Sequence, residues 1–219
     1  MDKRDRGKAD WPQDAILQHG QVLVDNYRIV SFLGQGGMGQ VYAAEDTRLG
    51  IKVAIKVPSL DILASPEGPK RFLSEAQVAA RLGPHPHVIQ IKASLVDPKV
   101  TVSLGGGRGK VAVPFIVMEL LDGGDLSERL IKHPMTLEAA AACFEQICSA
   151  VQCAHEFEYE ESGKKMRGVV HRDLKPANIG FDSKDRLVVM DFGLAKVLQY
   201  TKSTPDSREA KGTPWYMAP

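Results

Sequence analysis

The segment His171-Arg172-Asp173-Leu174-Lys175-Pro176-Ala177-Asn178 is followed, after a short strand-like run, by Asp191-Phe192-Gly193. Two carboxylates, a carboxamide and a lysine at these intervals suit phosphoryl transfer, in which a protein supplies position and charge rather than covalent chemistry. Asp173 is the group expected to accept the proton of an attacking hydroxyl, and Lys175 the one to steady the transferring phosphate. Asn178 and Asp191 are the expected magnesium ligands, holding the ion from two sides. His171 is expected to pack the backbone of its own loop rather than to carry protons.

A glycine-rich stretch, Gly34-Gln35-Gly36-Gly37-Met38-Gly39-Gln40-Val41, lies well upstream. Its spacing alone is shared with dinucleotide-binding folds, where a helix starts at the second glycine. Here the residues after Gly39 alternate as a strand does, so a dinucleotide oxidoreductase is set aside. The glycines read instead as a flap between antiparallel strands. Backbone amides around Gly34, Gly36, Gly37 and Gly39 can approach triphosphate oxygens without a Cβ in the way, with Leu33 and Val41 against one face of the adenine. Lys56, in Val53-Ala54-Ile55-Lys56, follows Gly39 by seventeen residues on the next strand, within reach of the α and β phosphates. A glutamate beside it would hold it extended. Glu75, in a helical stretch at 69–82, is favoured over Glu67, which sits in the poor helix former Ser65-Pro66-Glu67-Gly68-Pro69. ATP and magnesium are the cofactors this set calls for.

The elements that must position these groups follow from periodicity. Residues 1–20 read as a polar tail. Alternation over 27–33, 41–45 and 52–57 predicts an antiparallel meander, with the turn Asp46-Thr47-Arg48-Leu49-Gly50 between the last two strands. Phe72, Ala76, Ala79 and Leu82 share one face of the helix at 69–82. Strands are predicted at 88–96 and 111–118, joined by a hairpin turn through the glycines at 105–109. A short helix follows at 125–132, then a long one capped by Thr136 and reaching 155, with Phe144, Ile147, Val151 and Ala154 inward. Residues 156–167 read as a solvated insertion, and 168–170 as a strand. The organisation is a tail at 1–20, a strand-rich lobe at 21–119 and a helical lobe at 120–219.

With 28 Lys and Arg against 27 Asp and Glu, no net field points to nucleic acid or a membrane surface. No run of about eighteen apolar residues and no signal-peptide pattern occurs, so a cytoplasmic chain with no membrane segment is expected. Cys143, Cys148 and Cys153 are five apart on a helix, which scatters them and suits core packing in a reducing compartment better than metal binding.

From Tyr27 to Pro219 the sequence resembles a protein kinase domain. The Gly-Gly-Met-Gly flap, Val41-Tyr42 and Gly193-Leu194-Ala195-Lys196 resemble the bacterial Ser/Thr kinases of the eukaryotic-like type. The resemblance implies an α+β, two-lobed fold, an antiparallel β lobe carrying one helix and a mainly helical second lobe. It implies that Met118 is the gatekeeper behind the adenine, that Glu119 and Leu121 offer backbone groups to its edge, and that Ala54 lines the same site. Asp-Leu-Lys-Pro and Thr213 imply Ser or Thr acceptors on protein substrates. Arg172 beside Asp173 implies control by activation-loop phosphorylation at Thr201, Ser203, Thr204 or Ser207, the alternative being an unmodified Ser/Thr-rich loop. A kinase dimer phosphorylating its own activation loops is the further partner such a switch admits.

Two departures from the family pattern stand out. Gly180 occupies the position where a large apolar residue usually forms the floor under adenine, so weaker nucleotide packing is expected, by about 1–2 kcal/mol. The sequence also stops at Ala218-Pro219, one residue before the glutamate of the family's motif, which implies an incomplete helical lobe with an exposed apolar patch. The alternative to an active kinase is therefore a fragment that binds nucleotide or partners and transfers nothing.

Overall fold

The computed structural model describes residues 11–104, 109–161 and 163–192, without the side chains at 75, 78, 161 and 164. The described residues fall into two compact units, those up to 77 together with 91–120, and 78–90 together with those from 121 on. Gly193, Thr213 and the four activation-loop candidates Thr201, Ser203, Thr204 and Ser207 lie outside the described residues.

The first unit is built on a six-stranded antiparallel sheet of β1 (Val22–Leu23), β2 (Tyr27–Gly36), β3 (Gly39–Asp46), β4 (Ile51–Pro58), β5 (Ile91–Ser103) and β6 (Lys110–Glu119), in the order β1-β2-β3-β4-β6-β5. The fifth strand begins at Ile91 rather than 88, because 88–90 pair elsewhere. Pairing of Tyr42 with Ile55 and of Ile55 with Val117 puts these side chains on one face of the sheet. With Ile29, Val53, Val57, Val113 and Phe115 they form the core, each almost completely buried. The opposite face carries α2 (Gly68–Arg81), whose Phe72 and Ala76 pack on Ile116. Before it comes α1 (Leu60–Ala64), capped where Ser59 Oγ accepts the Ile62 N–H.

Residues 11–20 are not a polar tail. Leu17 is fully buried in the sheet's core, and Trp11 stacks on Tyr42 with ring centroids 5.8 Å apart. Composition missed this because two apolar anchors among polar neighbours suffice once a strand offers them a surface.

In the second unit, α3 (Leu126–Lys132) is capped by Asp125 and α4 (Leu137–Glu156) by Thr136, whose Oγ accepts the Ala139 N–H. Ala150 and Ala154 of α4 are buried, but Phe144, expected inward, is 68% exposed, as are Leu137 and Ile131 at 83% and 84%. Helical spacing identifies an apolar face; it does not say what covers it. The insertion after α4 is ordered as the hairpin β7 (Glu158–Glu161) and β8 (Lys164–Arg167). The following 168–170 are not a strand: the Val169 N–H is spent on the Ala154 carbonyl at the end of α4. Residues 78–90, assigned above to the strand-rich lobe, belong to the second unit. The Ile89 N–H donates to Val189, the Val189 N–H to His87, and Arg186 to the Pro86 carbonyl. Of the cysteines, Cys148 is exposed while Cys143 and Cys153 are half-buried, so none is a full core residue.

Candidate active site

Strand register in the first unit gathers the predicted nucleotide residues on one face of the sheet. Val41 is opposite Lys56, Lys56 opposite Ile116, and Ala54 opposite Met118, so Val41, Ala54, Lys56 and Met118 all lie on the face away from the core. Lys56 is held in that face at 8% exposure, and Ala54 and Met118 are equally buried. Position 75 precedes Ala76 on α2, the residue that packs against Ile116 beside Lys56. The Glu75 side chain lies outside the described residues. Its competitor Glu67 is an exposed residue of the turn before α2. Glu119 closes β6, opposite Val53.

The flap is a hairpin in which Gly36 pairs with Gly39 across the turn Gly37-Met38. Leu33 is the extra residue of a bulge in β2, between the pairs Phe32–Tyr42 and Gly34–Val41, and is half exposed. The glycines divide into two kinds. Gly39 has φ +144°, and a Cβ there would stand 1.9 Å from the Val57 carbonyl oxygen, so the fold itself demands glycine. At Gly34, Gly36 and Gly37 nothing lies within 4 Å of a built Cβ and φ is ordinary. The fold makes no demand for glycine at these three, and open space beside the backbone is what an approaching phosphate group requires.

In the second unit the loop at 171–178 is organised around His171, which is 4% exposed and lies 4.7 Å from the Phe192 ring, centroid to centroid. Its Nε2 lies 2.7 Å from the Met190 carbonyl oxygen, which needs a donor, and its Nδ1 accepts the Asp173 N–H at 3.3 Å. These partners assign the neutral Nε2–H tautomer, and burial pulls the imidazole pKa down, which keeps it neutral. The histidine therefore aims the Asp173 backbone, as expected of a packing group. Asp173 is further fixed by Asn178, whose Nδ2 donates to its carbonyl at 2.7 Å and to Oδ2 at 3.0 Å, and by Lys175 Nζ, 2.8 Å from Oδ2.

With the Asn178 amide nitrogen turned to Asp173, the amide oxygen is the atom of that side chain able to take a cation. Asn178 ends the one-turn 3-10 helix Pro176–Asn178 and precedes β9 (Ile179–Phe181); Asp191 follows β10 (Leu187–Val189) after one residue. The two strands pair antiparallel from Ile179–Val189 to Phe181–Leu187, and the Met190 N–H donates to the Asn178 carbonyl, so Asn178 and Asp191 are delivered to the same end of one hairpin. Asp191 and Arg172 both have positive φ, at 54° and 63°, a strained setting for non-glycine residues that the surrounding bonds must enforce. Among the described residues no three His, Cys, Asp or Glu cluster as a self-sufficient metal cage. An amide oxygen and one carboxylate suit a hard cation such as magnesium that completes its shell with waters and substrate phosphates.

At Gly180 the structure corrects the expected gap. A Cβ there would lie 2.6 Å from Leu121 Cδ1 and 3.1 Å from Met190 Sδ, so two apolar side chains of the same unit already fill the space. Leu121 is carried there because the chain after it pairs with β9, Gly123 N–H to the Phe181 carbonyl and Phe181 N–H to that of Gly124. Phe181 does not compensate, since it alternates to the other face, buried under the Arg129 guanidinium 3.5 Å from its ring centre. Gly180→Leu is accordingly expected to overpack, losing about 1–3 kcal/mol of stability. Adding Leu121→Ala should recover at least half of that, as read by urea denaturation of both variants.

A family model described as the protein kinase domain matches residues 27–219. The chain is 34% identical over 200 residues to the serine/threonine-protein kinase PknB of Mycobacterium leprae, covering 90% of this chain and 29% of that protein. It is 32% identical over 212 residues to serine/threonine-protein kinase A of Synechocystis, covering 92% and 37%. The PknI kinase domain of Mycobacterium tuberculosis is similar in structure, with TM-score 0.62 and 27% identity over 82% of this chain and 62% of that one. The chain thus spans about a third of the curated relatives' length.

Proposed function

Because this chain belongs to the protein kinase domain family, we propose that it is an ATP- and magnesium-dependent kinase domain that phosphorylates Ser or Thr of protein substrates. The observation that carries the reading is the double fixation of Asp173, backbone by His171 and carboxylate by Asn178 and Lys175, next to a hairpin end bearing both hard-oxygen ligands. Asp173 takes the acceptor hydroxyl proton as the oxygen attacks, and Lys175, already beside it, shares the charge gathering on the transferring phosphoryl group. Asn178 and Asp191 hold magnesium, which when bound neutralises the phosphate oxygens. In the first unit the uncrowded backbone at Gly34, Gly36 and Gly37 receives the triphosphate, Lys56 with Glu75 orients it, and Leu33, Val41, Ala54 and Met118 enclose the adenine, with the Glu119 backbone at its edge. No described helix is long and apolar enough to cross a membrane. Protein substrates and ATP are the partners this reading assigns.

The test is nucleotide binding with and without the ion. Wild-type chain should bind ATP more tightly in magnesium than in EDTA, and Asp191→Asn should erase most of that difference, by about tenfold or more in Kd, while keeping the metal-free affinity. Equal magnesium enhancement in the variant would remove Asp191 from the metal site.

A further inference from the structure

The stretch before the first strand is tied to the flap by a polar network that the proposed chemistry does not explain. Gln40, at the foot of the flap, is only 3% exposed, and its carboxamide is fully engaged. Its Oε1 accepts the Ile16 N–H at 2.8 Å and the Tyr42 hydroxyl, and its Nε2 donates to the Asp14 carbonyl at 3.0 Å and to Gln35 Oε1 at 3.3 Å. Gln35 is Gln40's partner across the hairpin, and its own amide donates to Asp14 Oδ2 at 3.1 Å. The Leu17 N–H donates to the Tyr42 hydroxyl at 3.2 Å, and Trp11, stacked on the Tyr42 ring, closes the segment on itself by donating to the Leu17 carbonyl at 2.8 Å. Both strands of the flap, one residue below Gly36 and Gly39, are thus bound to the same short segment.

We propose that residues 11–17 are a strap that sets the position of the glycine flap, with Gln40 and Asp14 as its positioning residues. The β2 arm of the flap pairs with β3 at 34–36 but with β1 only at 27–28, and three of the four residues 36–39 are glycine, which forfeits the most conformational freedom on ordering. Anchoring its base to a segment whose own anchor, Leu17, is buried in the core removes part of that freedom before any ligand arrives. Anything that pulled residues 11–17 away would loosen the flap without touching Lys56, Asp173 or the metal ligands. The consequence for nucleotide binding rests on the kinase reading above; the restraint on the flap does not.

Two measurements separate them: deuterium exchange of the amides at 34–41 in the protein without nucleotide, and ATP affinity in magnesium. Gln40→Leu keeps the side chain's size and removes all four bonds. It is expected to speed flap exchange at least tenfold and weaken ATP about tenfold, with exchange in β4 and β6 unchanged. Asp14→Ala, at an exposed site where folding is not at stake, should move both readouts the same way by about threefold. Asp14→Asn, which loses the charge but keeps the acceptor, should restore them. Flap exchange unaltered in Gln40→Leu with β4 and β6 intact would overturn the strap, as would an Asp14→Asn that behaves like Asp14→Ala. Should Gln40→Leu unfold β4 and β6, the Asp14 pair decides alone. Faster exchange in a protein whose wild type binds no ATP would keep the strap and sink the nucleotide reading.

Discussion

Asp173→Asn is expected to lower phosphoryl transfer by about 10²–10⁴-fold, the range a positioned general base supplies, while folding and nucleotide affinity stay within about twofold of wild type. The substitution is close to isosteric. Asn178 Nδ2 can still donate to the Asp173 carbonyl and to an amide oxygen at the old Oδ2, and the His171 link is made by backbone, so the loop keeps its shape. What disappears is the basicity toward the incoming hydroxyl and the countercharge for Lys175 Nζ. Transfer at saturating ATP, with Kd measured in parallel, separates the two. A fall of less than about threefold in the rate would take the base role from Asp173, and an equal fall in affinity and rate would make it a structural residue.

Gly39→Ala is expected to cost on the order of 3 kcal/mol, whereas Gly36→Ala should change stability by less than about 0.5 kcal/mol. The difference lies in what each Cβ meets. At Gly39 the obstacles are the Val57 carbonyl oxygen at 1.9 Å and the Pro58 backbone at 2.9 Å, atoms of a neighbouring strand that no side-chain rotation can move. Relief requires β3 to peel from β4 at the pairs Gly39–Pro58 and Gln40–Val57, which also lifts the foot of the flap. At Gly36 the methyl points into open space, so the price should fall on ATP affinity instead, by about fivefold to twentyfold as the methyl blocks phosphate approach. Urea denaturation and ATP titration of the two variants should therefore show opposite profiles. Equal loss of stability in both would mean that the flap glycines serve folding alone.

Much of this was legible in the residues because the chemistry is local in sequence. Asp173, Lys175, Asn178 and Asp191 lie within nineteen positions, and the caps Asp125 and Thr136 announce α3 and α4 with no tertiary information. What periodicity could not carry is partnership. Phe144 and Ala154 look alike on a helical wheel, yet one is exposed and one buried, since spacing defines a face without naming its cover. Gly180 looked like a deficit because a single position says nothing about Leu121, fifty-nine residues away, whose side chain reaches the same space. Residues 11–17 looked like a tail because their few anchors bind to β3 through long-range bonds that no local pattern records. The Gln40 that receives them carried no signal beyond its place beside the last flap glycine. A polar residue between Gly39 and Val41, on a strand whose alternate positions are buried, was the available hint.

The most direct measurement of the central claim is transfer of label from γ-labelled ATP to a Ser/Thr-rich protein substrate, made with this chain and with a version extended to the full length of the family's domain. The account predicts magnesium-dependent label on Ser or Thr from the extended wild type. A folded, ATP-binding extended protein that labels nothing, or labels only Tyr, would contradict it.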